Sequence, residues 1–274
     1  MSNGDCMVIA VVGAGVIGNA IAKALVQNVA ADKIVASDNR VEQLIELKKV
    51  GVETTTDNKK AVATADMVIL CVKPKDIKSV LAGIRNEIKE KLVLSMAAGV
   101  NLLLLQKAAP EVRFVRVMPN LAILVREAFI GYCVGANVTS KDKDVIKKIL
   151  GIMGTCIEVD EDKMDAITAL SGCAPAVLAS LLEAIVEAGI EVGLPPDLAL
   201  AASAQSMVGT GKLLLEAKKS LSEITTMVAT PGGVTEEELK ELAKFPLHKA
   251  FISALQTGTE KSKRITQILA AEDQ

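Results

Sequence analysis

Tryptophan is absent from this 274-residue chain, and one tyrosine with four phenylalanines leaves aromatic residues at 2%. Few platforms remain on which the bases of a flexible strand could stack, which argues against single-stranded nucleic acid as a partner. An excess of charge is also missing. With 31 basic against 33 acidic residues the formal net charge is -2, so no broad positive field awaits nucleic acid phosphates. A small-molecule partner fits this balance better. Histidine occurs once, at His248, and the five cysteines (Cys6, Cys71, Cys133, Cys156, Cys173) include no C-x-x-C pair. Metal-ligand spacing is therefore lacking, and an odd number of thiols set among apolar residues reads as small hydrophobes in a reducing cytoplasm. The amino terminus MSNGDC has no basic stretch leading into an apolar run, so no secretory signal is expected.

Hydrophobic residues make up 50% of the chain, and their order is informative. The longest uncharged stretch, residues 166–182 (AITALSGCAPAVLASLL), is interrupted by Gly172 and Pro175. It stops short of the roughly 20 apolar residues that a membrane span needs, and it is expected to be a deeply buried helix. Upstream, β-type runs at 7–12, 33–38, 66–72, 91–96 and 112–118 alternate with segments whose apolar residues recur every three to four positions. That alternation is the pattern of a parallel sheet with crossover helices. Residues 128–134 and 155–159, with a helix-like segment between them, extend the sheet. From about Glu161 the strand signal stops. The expected organisation is an α/β dinucleotide-binding domain over residues 1–160, with a mostly parallel sheet, followed by an all-α domain over 161–274. Two helical stretches in the second part, 166–182 and 198–211, are apolar on most sides and must be covered all round. A domain of about 110 residues has little surface of its own with which to hide both, so a second subunit is expected to cover them.

Gly13, Gly15 and Gly18 fit G-x-G-x-x-G, with an apolar run before them and an amphipathic helix pattern after. In such a turn the first glycine permits the tight bend, the second lets backbone approach a pyrophosphate, and the third lets helix and strand pack closely. Asp38 follows Gly18 at the distance expected of a ribose partner, so the segment predicts dinucleotide binding. Asp38 suits the ribose of NAD, while Asn39 and Arg40 beside it suit a 2′-phosphate, and both cofactors stay open. The GTGK at 209–212 fails the phosphate-loop pattern at both ends and is read as helix interior or a helix kink.

Four further segments, CVKP (71–74), SMAAG (95–99), SGCAPA (171–176) and TPGGVT (230–235), follow the fingerprint in order along the chain. Together they resemble the pyrroline-5-carboxylate reductases. That family uses NAD(P)H to reduce 1-pyrroline-5-carboxylate to L-proline, the last step of proline biosynthesis. The resemblance implies a Rossmann-type domain followed by a helical domain that interlocks two subunits, with dimers often built into larger rings. It also implies site residues. Val12, Gly13, Ala14, Gly15, Val16, Ile17 and Gly18 would lie at the pyrophosphate, and Asp38, Asn39, Arg40 and Asn58 near the adenosine. Cys71, Val72, Lys73 and Pro74, then Met96, Ala97 and Ala98, would border the cofactor at two strand ends, with Asn120 of MPN near the nicotinamide. Lys73 admits a catalytic role or that of a solvated cation at a strand end. Substrate would meet Glu161, Gly232, Gly233, Val234 and Thr235, with the Thr235 hydroxyl as the candidate catalytic group.

Two of these positions also have local explanations. Glu161 reads equally as an ordinary acid at a helix start, and Thr235 with Glu238 forms a capping-box pattern. The chain departs from the family at Ala174 and Val177, where Gly and Tyr are usual, and after Asn120, where MPNLAI lacks a turn-fixing proline. Near Met227 a family asparagine is missing. Other readings are a reductase of another cyclic imine or of a β-hydroxyacid, or a non-catalytic NAD(P)H sensor. The G-x-x-x-K-x-x-N helix of β-hydroxyacid dehydrogenases is not found, and a sensor would not need the TPGGVT cradle.

Overall fold

The run VIAVV places Ile9 and Val11 on one face and Ala10 and Val12 on the other, and all four are buried. A strand buried on both faces belongs in the middle of a parallel sheet. In the computed structural model, which describes residues 7–28 and 31–271, that is where it lies. Cys6 and the amino-terminal reading fall outside the described residues. The strands are β1 (Val8–Val12), β2 (Lys33–Ser37), β3 (Glu53–Thr55), β4 (Met67–Leu70), β5 (Leu92–Ser95), β6 (Arg113–Met118), β7 (Ala128–Val134) and β8 (Gly154–Glu158). They form one sheet in the order β3-β2-β1-β4-β5-β6-β7-β8. Every neighbouring pair is parallel except β6 with β7. The chain winds one way from β1 to β3 and the other way from β4 onward. The crevice between β1 and β4 is therefore the topological switch point of a Rossmann-like sheet.

Helices α1 (Val16–Gln27), α2 (Ile45–Lys49), α3 (Asn58–Ala63), α4 (Ile77–Ile84), α5 (Leu102–Ala108) and α6 (Ser140–Gly151) cover the two faces. Ile21 and Leu25 of α1 join Ile9 and Val11 in one core, together with Ile146 and Ile149 of α6. Leu81 and Ile84 of α4 join Ala10, Val12 and Phe114 in the other. The start of α6 is fixed by a capping box, in which Thr139 accepts the Asp142 N–H while Asp142 takes the Thr139 N–H. The short strand β3 is not legible from the sequence, because an exposed glutamate and two half-buried threonines carry no apolar alternation.

Beyond β8 the described residues are helical: α7 (Met164–Ile167), a π-helical turn at Thr168–Gly172, α8 (Ala174–Glu191), α9 (Pro196–Leu215), α10 (Leu221–Val228), α11 (Val234–Leu242) and α12 (Leu247–Ala271). The GTGK segment is interior to α9. Two compact units result, one comprising the chain up to Pro175 with the stretch from Leu255, the other Ala176–Ala254. Their borders fall inside α8 and α12, whereas composition alone draws a break at 160/161.

The deep burial expected of residues 166–182 is corrected by the structure. Leu170, Val177, Leu178 and Leu181 are exposed, and within residues 176–254 Ala199 alone is buried. An apolar sequence specifies that a helix needs covering without specifying that its own chain supplies the cover. Glu161–Glu191 and α9 are each long and apolar enough to cross a membrane by length and composition.

Candidate active site

Three glycines open the crevice, and they differ in what a side chain would meet. Gly13 has φ +94°, and a Cβ there would stand 2.7 Å from the Cys71 carbonyl oxygen at the end of β4. On Gly18 a Cβ would come 1.9 Å from the Gly13 carbonyl oxygen. Both glycines are required by the protein's own packing. Gly15 is not: its φ is −65°, and nothing lies within 4 Å of its would-be Cβ. Its lack of a side chain keeps open the space into which the first turn of α1 points. The unpaired N–H groups of that turn, with the helix dipole behind them, suit a pyrophosphate. The residues present thus fit a dinucleotide.

A cavity of about 500 Å³ extends from this loop along the ends of β1, β2 and β4. It gathers Val12, Gly13, Gly15, Asp38, Asn39, Arg40, Asn58, Cys71, Val72 and Lys73 from the sequence-derived set. Ser37, Thr56, Lys75, Asp76, Ser79 and Val80 line it as well and were not foreseen. Thr56 follows the illegible β3, Ser37 ends β2, Lys75 and Asp76 lie in the 3-10 turn after Lys73, and Ser79 and Val80 lie on α4, and no local pattern reveals that these meet in one cavity. Pro74 begins the 3-10 turn after Lys73. Ala14 is fully buried, and its N–H is given to Asp38 Oδ2 at 2.8 Å, so this amide is not among those left for phosphate.

Asp38 is held by several donors. Burial alone would raise its pKa, but hydrogen bonds from the Arg40 backbone and side chain and from the Ala14 N–H hold the carboxyl below its usual value. Asn58, the first residue of α3, accepts the Ser37 hydroxyl at 2.8 Å while Asp57 caps the helix. Burial pushes the Cys71 thiol up to about 12, which leaves it a neutral wall of the cavity.

Further along the sheet, the segment after β5 carries Met96, Ala97 and Ala98. Met96 N–H bonds to the Leu70 carbonyl, Met96 and Ala98 are half-buried, and Ala97 is buried among core side chains. Asn120, beyond β6, compensates for the missing proline by capping the 3-10 turn Leu121–Val125, accepting the Ala122 N–H at 3.0 Å. Its amide donates to the buried Ser171 hydroxyl in the π-helical turn at 3.2 Å. π-helical turns are often found at functional sites.

Glu161 has a well-defined local environment. Its Oε1 accepts the Leu102 N–H at the start of α5 at 2.6 Å and lies 3.5 Å from Arg116 Nη1. Arg116 is a buried cation in β6, and its Nη2 lies 3.9 Å from Asp165 Oδ1. That same oxygen accepts the Ser262 hydroxyl of α12 at 2.6 Å. This network ties β6, α5, α7 and the last turns of the chain, and Ile265 and Leu269 of α12 pack over Gly99 beside the β5 loop.

In the other unit, the TPGGVT turn leads into α11, and here the capping-box expectation is corrected. The N-cap is Gly233, so Thr235 lies inside the helix, and the carboxylate that reaches back is Glu236, accepting the Gly232 N–H at 2.6 Å. Gly233 N–H bonds to the Thr230 carbonyl at 2.9 Å. Gly232 and Gly233 therefore shape the turn, and the first-turn amides without an intrahelical partner are those of Val234, Thr235 and Glu236.

Comparison with known proteins places this geometry. Residues 161–265 match a family model described as pyrroline-5-carboxylate reductase dimerisation, and residues 8–99 match one described as NADP oxidoreductase coenzyme F420-dependent. A pyrroline-5-carboxylate reductase of Methanosarcina acetivorans is 37% identical over 259 residues, 93% of this chain and 96% of that protein. One from Corynebacterium melassecola is 34% identical over 264 residues, 94% of this chain and 98% of its own length. Among solved structures, a pyrroline-5-carboxylate reductase from Coxiella burnetii is 31% identical, with a TM-score of 0.91 over 96% of this chain and 99% of that one. The Plasmodium falciparum pyrroline carboxylate reductase with NADP bound, 26% identical, gives a TM-score of 0.83 over 95% and 98%. Sheet order, glycine cradle and relatives aligned almost from end to end agree, and the chain belongs to the pyrroline-5-carboxylate reductase family.

Proposed function

We propose that this protein is a cytoplasmic homodimer, able to build larger rings of dimers, that reduces 1-pyrroline-5-carboxylate to L-proline with NAD(P)H. Residues 1–160 form its dinucleotide-binding domain and residues 161–274 its helical dimerisation and substrate domain. The observation that carries the reading is the space held open over Gly15 at the switch point, in a chain of which the Methanosarcina acetivorans relative covers 93%.

A cyclic iminium is already electrophilic, so orientation supplies much of the catalysis and no histidine is required. The bound nicotinamide supplies the hydride to the ring carbon of the C=N bond. Gly15, Val16 and Ile17 receive the pyrophosphate, and Met96, Ala98 and Asn120 border the nicotinamide. The Val234 and Thr235 amides, with the dipole of α11 behind them, receive the substrate carboxylate in a turn shaped by Gly232 and Gly233. The Thr235 hydroxyl hydrogen-bonds the ring nitrogen and steadies its proton. Glu161 offers the substrate the oxygen not engaged by Leu102 and Arg116.

Purified protein mixed with pyrroline-5-carboxylate and each reduced cofactor is expected to consume the nicotinamide absorbance and release proline. A preparation that binds cofactor but forms no proline would remove the assignment. Thr235→Ala is expected to lower kcat by about 10- to 100-fold, the range of a lost positioned hydrogen bond, with cofactor affinity retained. Unchanged steady-state kinetics would take Thr235 out of the mechanism.

A further inference from the structure

An arginine that meets a single carboxylate commonly pairs with it as a fork, two N–H groups on two oxygens, and leaves that acid little to offer a ligand. Arg116 is placed differently. Its side chain is 5% exposed, and its two terminal nitrogens are divided between two acids. Nη1 lies 3.5 Å from Glu161 Oε1, and Nη2 lies 3.9 Å from Asp165 Oδ1. A second donor holds each of those same oxygens. Glu161 Oε1 accepts the Leu102 N–H at 2.6 Å, and Asp165 Oδ1 accepts the Ser262 hydroxyl at 2.6 Å. Among the described residues no hydrogen-bond donor occupies Glu161 Oε2.

The charges in this cluster do not cancel. One guanidinium faces two carboxylates, and the thiol beside it on β7, Cys133, is pushed up to about 12 by burial and stays neutral. One negative charge is in excess. Glu161 carries it toward the open side, with its side chain 36% exposed against 17% for Asp165. The same pair brackets the loop after β5: Arg116 is paired across the sheet with Ser95, and Glu161 holds Leu102 at the start of α5. Asp165 decides the geometry. Without its charge, Nη2 would have no second acid to face, and the guanidinium would close edge-on over both oxygens of Glu161.

We infer that Arg116 and Asp165 are positioning residues for the substrate: Asp165 draws off one arm of the guanidinium, so that Arg116 holds Glu161 by Oε1 alone and leaves Oε2 charged beside the ring cation of the iminium. This rests on the assignment of Glu161 to the substrate. The contact exists before hydride transfer, so its loss is read in KM rather than in kcat.

Steady-state kinetics of the full chain with pyrroline-5-carboxylate and saturating reduced cofactor, paired with thermal melts, test the inference. Asp165→Asn keeps an acceptor for Ser262 and removes only the charge. It is expected to raise KM for the imine by about 10-fold, the value of one charge-assisted contact, with kcat changed by less than about 3-fold. Arg116→Lys, whose single ammonium cannot span both acids, should raise KM in the same direction. Glu161→Gln supplies the reference. In that background either substitution should change KM by less than about 2-fold, because the oxygen it would have positioned no longer carries charge. A cluster that serves folding alone would lower the midpoint and leave KM unmoved, or move KM equally in both backgrounds, and either result would overturn the inference. Should Arg116→Lys not fold, Asp165→Asn in the two backgrounds decides by itself. A wild-type protein that forms no proline would overturn the catalytic assignment and this inference with it, whereas one that forms proline with a KM indifferent to Asp165 would overturn this inference alone.

Discussion

Gly13 and Gly18 answer to the packing of the protein, and Gly15 answers to what lies outside it. A methyl on Gly18 would overlap the Gly13 carbonyl, whereas one on Gly15 would project into open space. Gly15→Ala is therefore expected to leave the thermal midpoint unchanged and to weaken cofactor binding by about 10-fold or more, since a displaced pyrophosphate forfeits at least one charge-assisted bond. Gly18→Ala is expected to destabilise the fold itself by about 1–3 kcal/mol, the usual cost of overpacking. Thermal melts paired with titration would distinguish the two, and a Gly15→Ala protein that binds cofactor normally would contradict the cradle. Asp38 shows the limit of reading such positions from sequence. Its spacing from the fingerprint is a sequence property, whereas the donors that fill its lone pairs come from Ala14 and Arg40 after folding.

Among the elements, strands with buried faces on both sides were legible because their apolar residues run unbroken. β3 was not, since its three polar residues carry no apolar alternation and join β2 through backbone pairing and the exposed Lys33–Glu53 ion pair. The start of α11 was misread by two residues for a related reason: several acids follow the turn, and only the folded geometry shows that Glu236 reaches Gly232. Glu161 likewise has a local partner set that spacing could not disclose. It joins the α5 amide to the buried Arg116, and Asp165 extends the network to Ser262 on α12. Glu161→Ala is expected to cost about 1–3 kcal/mol, because it leaves a buried cation and a helix-start amide short of a partner. That corresponds to a fall of several degrees in midpoint, at about 2–4 °C per kcal/mol for a chain of this size. Glu161→Gln keeps an acceptor and should lose less. A midpoint unmoved in both variants would show that the network contributes nothing to stability.

Over the whole molecule, the two units differ in how much of a core they own. The sheet unit has two continuous cores, one on each face. Residues 176–254 bury only Ala199 and leave Leu178, Leu181, Ile185, Leu198, Leu200 and Val208 exposed. So large an apolar surface marks an interface, and residues 161–265 match a family model described as pyrroline-5-carboxylate reductase dimerisation. Light scattering is expected to give twice the mass of the chain, with a thermal midpoint that rises with protein concentration. A folded monomer whose midpoint is independent of concentration would exclude the proposed homodimer.

By itself, the sequence determined the alternation of strand and helix, the glycine turn at the switch point, and the need of two apolar helices for a cover. Each is written in spacing along the chain, where period and steric allowance act between near neighbours. Tertiary structure alone decided which lone pairs of Asp38 are spent, that Arg116 is the partner of Glu161, that Ser37, Thr56 and Val80 share a cavity with Gly15, and that α8 and α9 remain uncovered. These depend on groups far apart in sequence meeting in space, and no local pattern encodes which of the available partners a side chain will find.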